Sequence, residues 1–229
     1  MKTIGILVGM GPRSTTPFLE LVLDQCQRQY GAKYDIEFPH MIIYSLPTPF
    51  YLDRPVDHDK LKISIREGLK RLESCNVDFI AMPCNTAHNY FYELADEIEV
   101  PLLNIVEETV RDIGHNNKIT LFATAPTMES RIYQDLFKQK GYTYMFDEKW
   151  QQDIDQIISL IKSGEDKETL KIKWEVLLRD VQLKGIDTIV IACTDINVIL
   201  RENPYYHGVN FVDSAECLAK AVIREYLKK

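Results

Sequence analysis

The sequence predicts an α/β fold of two pseudo-symmetric lobes with mostly parallel sheets and an active site in the cleft between them. Three observations carry this expectation. Short runs rich in Val, Ile and Leu, bounded by turn residues, alternate with longer segments of helical period, the pattern of βα units. The chain also repeats itself: "NVDFIAMPCNTA" from Asn76 matches "GIDTIVIACTDI" from Gly185, and "VPLLNIVEETV" from Val100 matches "VNFVDSAECLA" from Val209. Both matches keep one register, since 193 minus 84 and 209 minus 100 are both 109. Finally, each half ends a buried apolar run on a cysteine, Cys84 and Cys193, where a helix ought to begin.

Taken in order, "TIGILV" reads as a strand over 3–8, and "GMGP" as a tight turn that brings backbone, Met10 included, close to a ligand. Ser14 or Thr15 then opens a helix over 14–30. A strand over 40–46, a helix over 58–75, a strand over 78–83, a helix over 86–98 and a strand over 101–105 complete the first half. The second half restarts at Lys118, where "KITLFATAPTMESRIYQDLFKQ" repeats the strand, Pro turn, hydroxyl cap and amphipathic helix that begin at Thr3. Its elements are strands over 118–123, 142–146, 187–192 and 209–212, with helices over 127–140, 150–162, 166–184 and 214–227. The lobes are therefore 1–113 and 114–207, with 208–229 expected to pack back onto the first.

Composition narrows the function. With 34 acidic against 27 basic residues the net charge is −7, and no Lys/Arg run is dense enough to track a phosphate backbone, which argues against nucleic acid. No apolar stretch is long enough for a membrane span or signal peptide, so a soluble, cytoplasmic protein is expected. Five cysteines at wide spacings form neither a zinc pattern nor a disulfide framework. The five histidines show no metal-ligand spacing either.

In parallel sheets, ligands sit at the carboxyl ends of strands, and an approximate two-fold axis would set Cys84 and Cys193 face to face there. Small polar residues follow each thiol, Asn85 and Thr86 in one half, Thr194 and Asp195 in the other. Free backbone N–H groups at such helix starts favour negative charge, which lowers a thiol's pKa and can receive a carboxylate. Two opposed thiols around one carbon allow one to remove a proton while the other delivers one, inverting a stereocentre with no cofactor. Cys26, Cys75 and Cys217 lack this setting and read as packing residues.

These residues resemble the cofactor-independent aspartate/glutamate racemase superfamily, and its aspartate racemase-like branch most closely. The likeness spans the chain and rests on "GMGPRST" at 9–15, "MPCNTAH" at 82–88, "ATAPT" at 123–127 and "ACTD" at 192–195. The resemblance implies racemisation of aspartate or glutamate without PLP or metal, Cys84 and Cys193 as the two bases, and a homodimer. It also implies Arg54 in "YLDRP" and Lys162 in "IKSGED" as cations for a second carboxylate. Asn85, Thr86, Thr124, Thr127 and Thr194 become candidates for holding the α-carboxylate and amino group. Three departures stand out: Asp195 where the family commonly has Glu, Phe50 and Tyr51 beside the presumed side-chain pocket, and Pro126 where Gly is usual.

Other readings of the same residues remain. "GMGPRS" lacks the third Gly and the later acidic residue of a dinucleotide fingerprint. His88 is either a general base or a capping residue, and its counterpart in the second half is Asn197. Glu107, Glu108, Asp213 and Glu216 suit helix N-termini. The rival functions are a same-fold decarboxylase or cis-trans isomerase of small dicarboxylates, and a ligand-binding sensor.

Overall fold

A computed structural model describes residues 2–51, 54–114, 118–164, 167–196, 199–200, 206 and 208–228. Its strands are β1 (Thr3–Val8), β2 (His40–Ser45), β3 (Phe79–Ala81), β4 (Lys118–Ala123), β5 (Thr143–Tyr144), β6 (Thr188–Ala192) and β7 (Asn210–Asp213). They form two parallel sheets, ordered β2-β1-β3 and β5-β4-β6-β7. Their helices are α1 (Thr15–Tyr30), α2 (His58–Glu73), α3 (Phe91–Ala95), α4 (Ile105–Asp112), α5 (Ala125–Glu129), α6 (Ile132–Lys140), α7 (Glu148–Ser163) and α8 (Lys167–Leu183), with a C-terminal helix over Ser214–Leu227.

The sheets repeat each other at the level of single residue pairs. Ile80 bridges Leu102 in parallel, and 109 positions on in both partners Ile189 pairs with Phe211. The helices that follow, α4 and the C-terminal helix, start at Ile105 and Ser214, again 109 apart, after Asn104 and Asp213 side chains that accept from backbone N–H groups of the first turn.

Alternation along the strands divides three cores. Ile4, Ile6 and Val8 of β1, Ile119 and Leu121 of β4, and Val190 and Ala192 of β6 face a central core shared with α1, α4, α6 and the C-terminal helix. Leu7 and Ile80 face the opposite way, onto Leu61, Ile65 and Leu69 of α2. Phe122, Ile189 and Ile191 meet Trp150 and Ile154 of α7 and Trp174 of α8. Both faces of each sheet are thus covered, which explains why the strands read as continuous apolar runs. The C-terminal helix packs on α1 and α4, against the first half of the chain.

Four expectations change. The strand over 101–105 is reduced to the Leu102 bridge, because Pro101 has no N–H to donate. At the matching place Asn210 does donate, to the Asp187 carbonyl at 2.7 Å, and a four-residue strand forms. The helix over 86–98 divides into a 3-10 segment, Thr86–Tyr90, and α3. The helix over 127–140 starts two residues earlier and breaks at Arg131, whose φ of 60° is left-handed. Helix α4 was not anticipated from the periodicity, although Asn104 and Glu107 form its N-terminal pair at 3.1 Å.

Candidate active site

The carboxyl ends of β1, β3, β4 and β6 converge on a cavity of about 450 Å³. Cys84 follows β3 and Cys193 follows β6, and both line it. The two strand ends touch directly, since the Thr194 hydroxyl donates to the Pro83 carbonyl at 3.4 Å. Met10, Asn85, Thr86, Thr124, Lys162, Thr194 and Asp195 line the same space. Thr127 is fully buried one step behind it, and Arg54 is exposed, its guanidinium 4.5 Å over the Tyr51 ring and outside the lining.

The turn after β1 is shaped for close approach. Gly9 has φ +94°, and a Cβ there would stand 2.7 Å from the Leu46 nitrogen. At Gly11 a Cβ would come within 3.0 Å of Lys162 Nζ and 3.1 Å of Asp195 Oδ1. Those two side chains are paired at 2.8 Å, so the turn lies against an ion pair drawn from the end of α7 and the 3-10 segment Thr194–Ile196. Asp195 is buried, at 4% exposure. Among the described residues of the lining, Lys162 carries the positive charge.

Several polar groups expected to meet a ligand are already engaged. Thr86, Thr124 and Thr127 hydroxyls form a ring with each oxygen 3.0 Å from the next, tying the first half of the chain to the second. Asn85 donates to the Ser214 hydroxyl at 2.9 Å and accepts from the Tyr133 hydroxyl at 2.6 Å. Ser214 and Tyr133 are fully buried, and sequence reasoning missed both. Ser214 directly follows the N-cap Asp213, a signal that could have marked it, whereas nothing local distinguishes Tyr133.

His88 is a positioning residue of the backbone. Its Nδ1 lies 2.8 Å from the Cys84 carbonyl and its Nε2 accepts from the Ile105 N–H at 3.2 Å, joining the thiol's own peptide to the start of α4. Burial holds its pKa down to about 4, so the ring is neutral. Asn197 lies outside the described residues.

The thiols depart from the expected acidity. Burial pushes Cys84 up to about 11 and Cys193 up to about 12, and the Asp195 carboxylate adds to both shifts. Backbone N–H groups of Thr86 and Ala87 at Cys84, and of Asp195 and Ile196 at Cys193, act in the lowering direction, as does Lys162 at both sulfurs. Helix-start donors are therefore present, but desolvation outweighs them. The arrangement holds a buried thiol, Cys193, a partly buried one, Cys84, and a neutralised ion pair around one space, and among the described residues no cluster of His, Cys, Asp and Glu could hold a metal.

Comparison with known proteins places these features in context. Residues 7–222 match the family described as Asp/Glu/Hydantoin racemase. The chain is 45% identical over 225 residues to the broad specificity amino-acid racemase RacX of Bacillus subtilis (strain 168), covering 98% of each. Among solved structures it is similar to the Picrophilus torridus aspartate racemase, with a TM-score of 0.84 and 27% identity over 100% of this chain and 96% of that one. An aspartate racemase homologue from Pyrococcus horikoshii OT3, PH1733, gives 0.78 and 25% with both chains fully covered.

Proposed function

The chain belongs to the Asp/Glu/Hydantoin racemase family, and from that premise we propose that it racemises amino acids at Cα without a cofactor, Cys84 and Cys193 being the two bases. The supporting observation is that both sulfurs line one cavity at equivalent strand ends. In one direction a thiolate takes the Cα proton and becomes a thiol. The electron pair left on carbon is delocalised into the α-carboxylate. The opposite thiol then gives its proton to the other face and becomes the thiolate, so the inverted product leaves the pair with its charges exchanged.

Binding follows from the donors. A thiol's proton is lost more readily beside Lys162, which acts on both sulfurs. The α-carboxylate fits the backbone N–H groups after each cysteine, donors placed to answer charge that develops during proton removal, while the threonine ring braces the wall behind them. Aspartate and glutamate are the side chains the resemblance suggests, with Arg54 and Lys162 as their partners. For the whole molecule we propose lobes over 1–113 and 114–207, with 208–229 on the first, in a cytoplasmic homodimer. Exposed Tyr34, Ile36 and Ile43, on and before edge strand β2, supply apolar surface for a dimer contact. Five free cysteines suit a reducing compartment, and among the described residues no helix is long and apolar enough to cross a membrane.

The test uses Cys84→Ala and Cys193→Ala with a panel of L- and D-amino acids in D₂O and no added PLP. Each variant should lose racemisation by about 10²-fold or more, the scale of a positioned acid or base. Racemisation retained in both would overturn the two-base scheme, and a wild-type protein that exchanges no Cα hydrogen would overturn the racemase itself.

A further inference from the structure

Behind Asn85 lies a chain of buried polar groups that the transfer of protons between thiols does not itself use. Asn85 directly follows Cys84, lines the cavity and is 3% exposed. Tyr133 of α6, Thr109 of α4 and Ser214 of the C-terminal helix are fully buried and stand outside that lining. The Tyr133 hydroxyl donates to Asn85 Oδ1 at 2.6 Å, and Asn85 Nδ2 donates to the Ser214 hydroxyl at 2.9 Å. An amide nitrogen carries two N–H donors, so one is left for a ligand.

The two ends of an amide are opposite in kind. Its N–H attracts a carboxylate and its carbonyl repels one. Ser214 does not discriminate between the ends, because a hydroxyl donates or accepts as its neighbour requires. Tyr133 does discriminate. Its other neighbour, the Thr109 hydroxyl, lies 3.4 Å away and gives its own proton to the Ile105 carbonyl at 2.6 Å, so it offers Tyr133 only an acceptor at long range. Were the Asn85 amide turned round, Tyr133 would have to accept from Nδ2 and redirect its proton to that weaker 3.4 Å contact. Burial pushes the Tyr133 pKa up, so the phenol keeps the proton that fixes the amide.

We infer that Tyr133 is a positioning residue for racemisation: its hydroxyl, backed by Thr109, holds the Asn85 amide with the nitrogen end free to donate to the substrate's α-carboxylate beside Cys84. The inference rests on the racemase reading above and applies whatever the side chain, because the α-carboxylate is common to all amino acids. Tyr133 meets no reacting atom and acts through Asn85, so a residue of the second half of the chain orients the donor beside the thiol of the first.

The experiment is a double-mutant cycle on the full chain without added cofactor. Cα hydrogen exchange in D₂O is followed by ¹H NMR for the amino acid that the wild-type protein exchanges fastest in a panel of L- and D-enantiomers. Asn85→Ala should lower kcat/KM by about 10²-fold, the scale of a donor lost from developing charge. Tyr133→Phe should lower it by about tenfold or more, as a misplaced group does. In the Asn85→Ala background Tyr133→Phe should change it by less than about twofold, since no amide is left to orient. Losses that multiply would mark a general structural role and overturn the inference, as would full activity in Tyr133→Phe. A second readout leaves Tyr133 intact. The two side-chain amide protons of Asn85, identified by their absence from the Asn85→Ala spectrum, should respond unequally to saturating substrate, the one facing the ligand shifting and the one held by Ser214 staying in place. If neither proton shifts, the inference falls even where Tyr133→Phe does not fold. A wild-type protein that exchanges no amino acid would instead overturn the racemase reading, and this inference with it.

Discussion

At the scale of single residues the site is governed by desolvation. Both thiols are pushed up by burial and by Asp195, and one must be ionised to act, so kcat/KM should climb as pH rises through the alkaline range. Replacing Asp195 by Asn removes a negative charge from beside both sulfurs and leaves Lys162 unopposed. Both changes favour thiolate, and the ascending limb of the pH profile should move to lower pH. A limb that stays in place, or moves up, would show that the carboxylate does not act on the sulfurs. His88 makes a second pH-dependent contribution. Its pKa falls from about 6.5 unfolded to about 4 folded, so between those values the unfolded chain binds more protons. The stabilisation is therefore present above about pH 6.5 and lost as pH falls toward 4, by about 3 kcal/mol in all. Urea unfolding at pH 7 and pH 5 should show about 2 kcal/mol of this loss, and His88→Gln should show much less of it. Equal losses in the two proteins would assign the acid sensitivity to other groups.

At the scale of elements, repeated segments were legible and local irregularities were not. Strands β1 and β4 form with their expected bounds because each is a continuous apolar run covered on both faces. The cysteines were found through the register, which needs only sequence. By contrast, a missing N–H at Pro101 shortens one strand, and a left-handed Arg131 cuts one helix; periodicity averages over single-residue effects of this kind. The pairing of Lys162 with Asp195 brings together residues 33 positions apart on different elements, and no local pattern announces it. The same holds for Tyr133 of α6, which holds Asn85 beside Cys84 from across the central core. Tyr133→Phe keeps the ring and deletes the donor, leaving the buried Asn85 oxygen short of a partner, at a cost of about 1–3 kcal/mol. Thermal unfolding measures it, and an unchanged midpoint would mean that this hydrogen bond does not anchor the segment after Cys84.

For the whole molecule, the interlocking of the two halves is the governing feature. Three threonine hydroxyls, the Thr194 to Pro83 contact and the helix over Ser214–Leu227 all join early residues to late ones. The homodimer proposed above should elute at about twice the chain's mass in light scattering, and Ile43→Lys should shift it toward monomer if β2 lies in the contact. A wild-type monomer would discard that proposal.

One tie has a topological corollary. Lys2 Nζ lies 2.8 Å from the carbonyl of Glu225, so the beginning of the chain rests beside its last helix. A short linker joining residue 228 to residue 2, with the chain opened after Gly114, would exchange the order of the halves while keeping every strand with its neighbours. Such a permutant should fold and turn over its substrate, because the closed circuit of strands, rather than the order in which they are joined, defines the pocket.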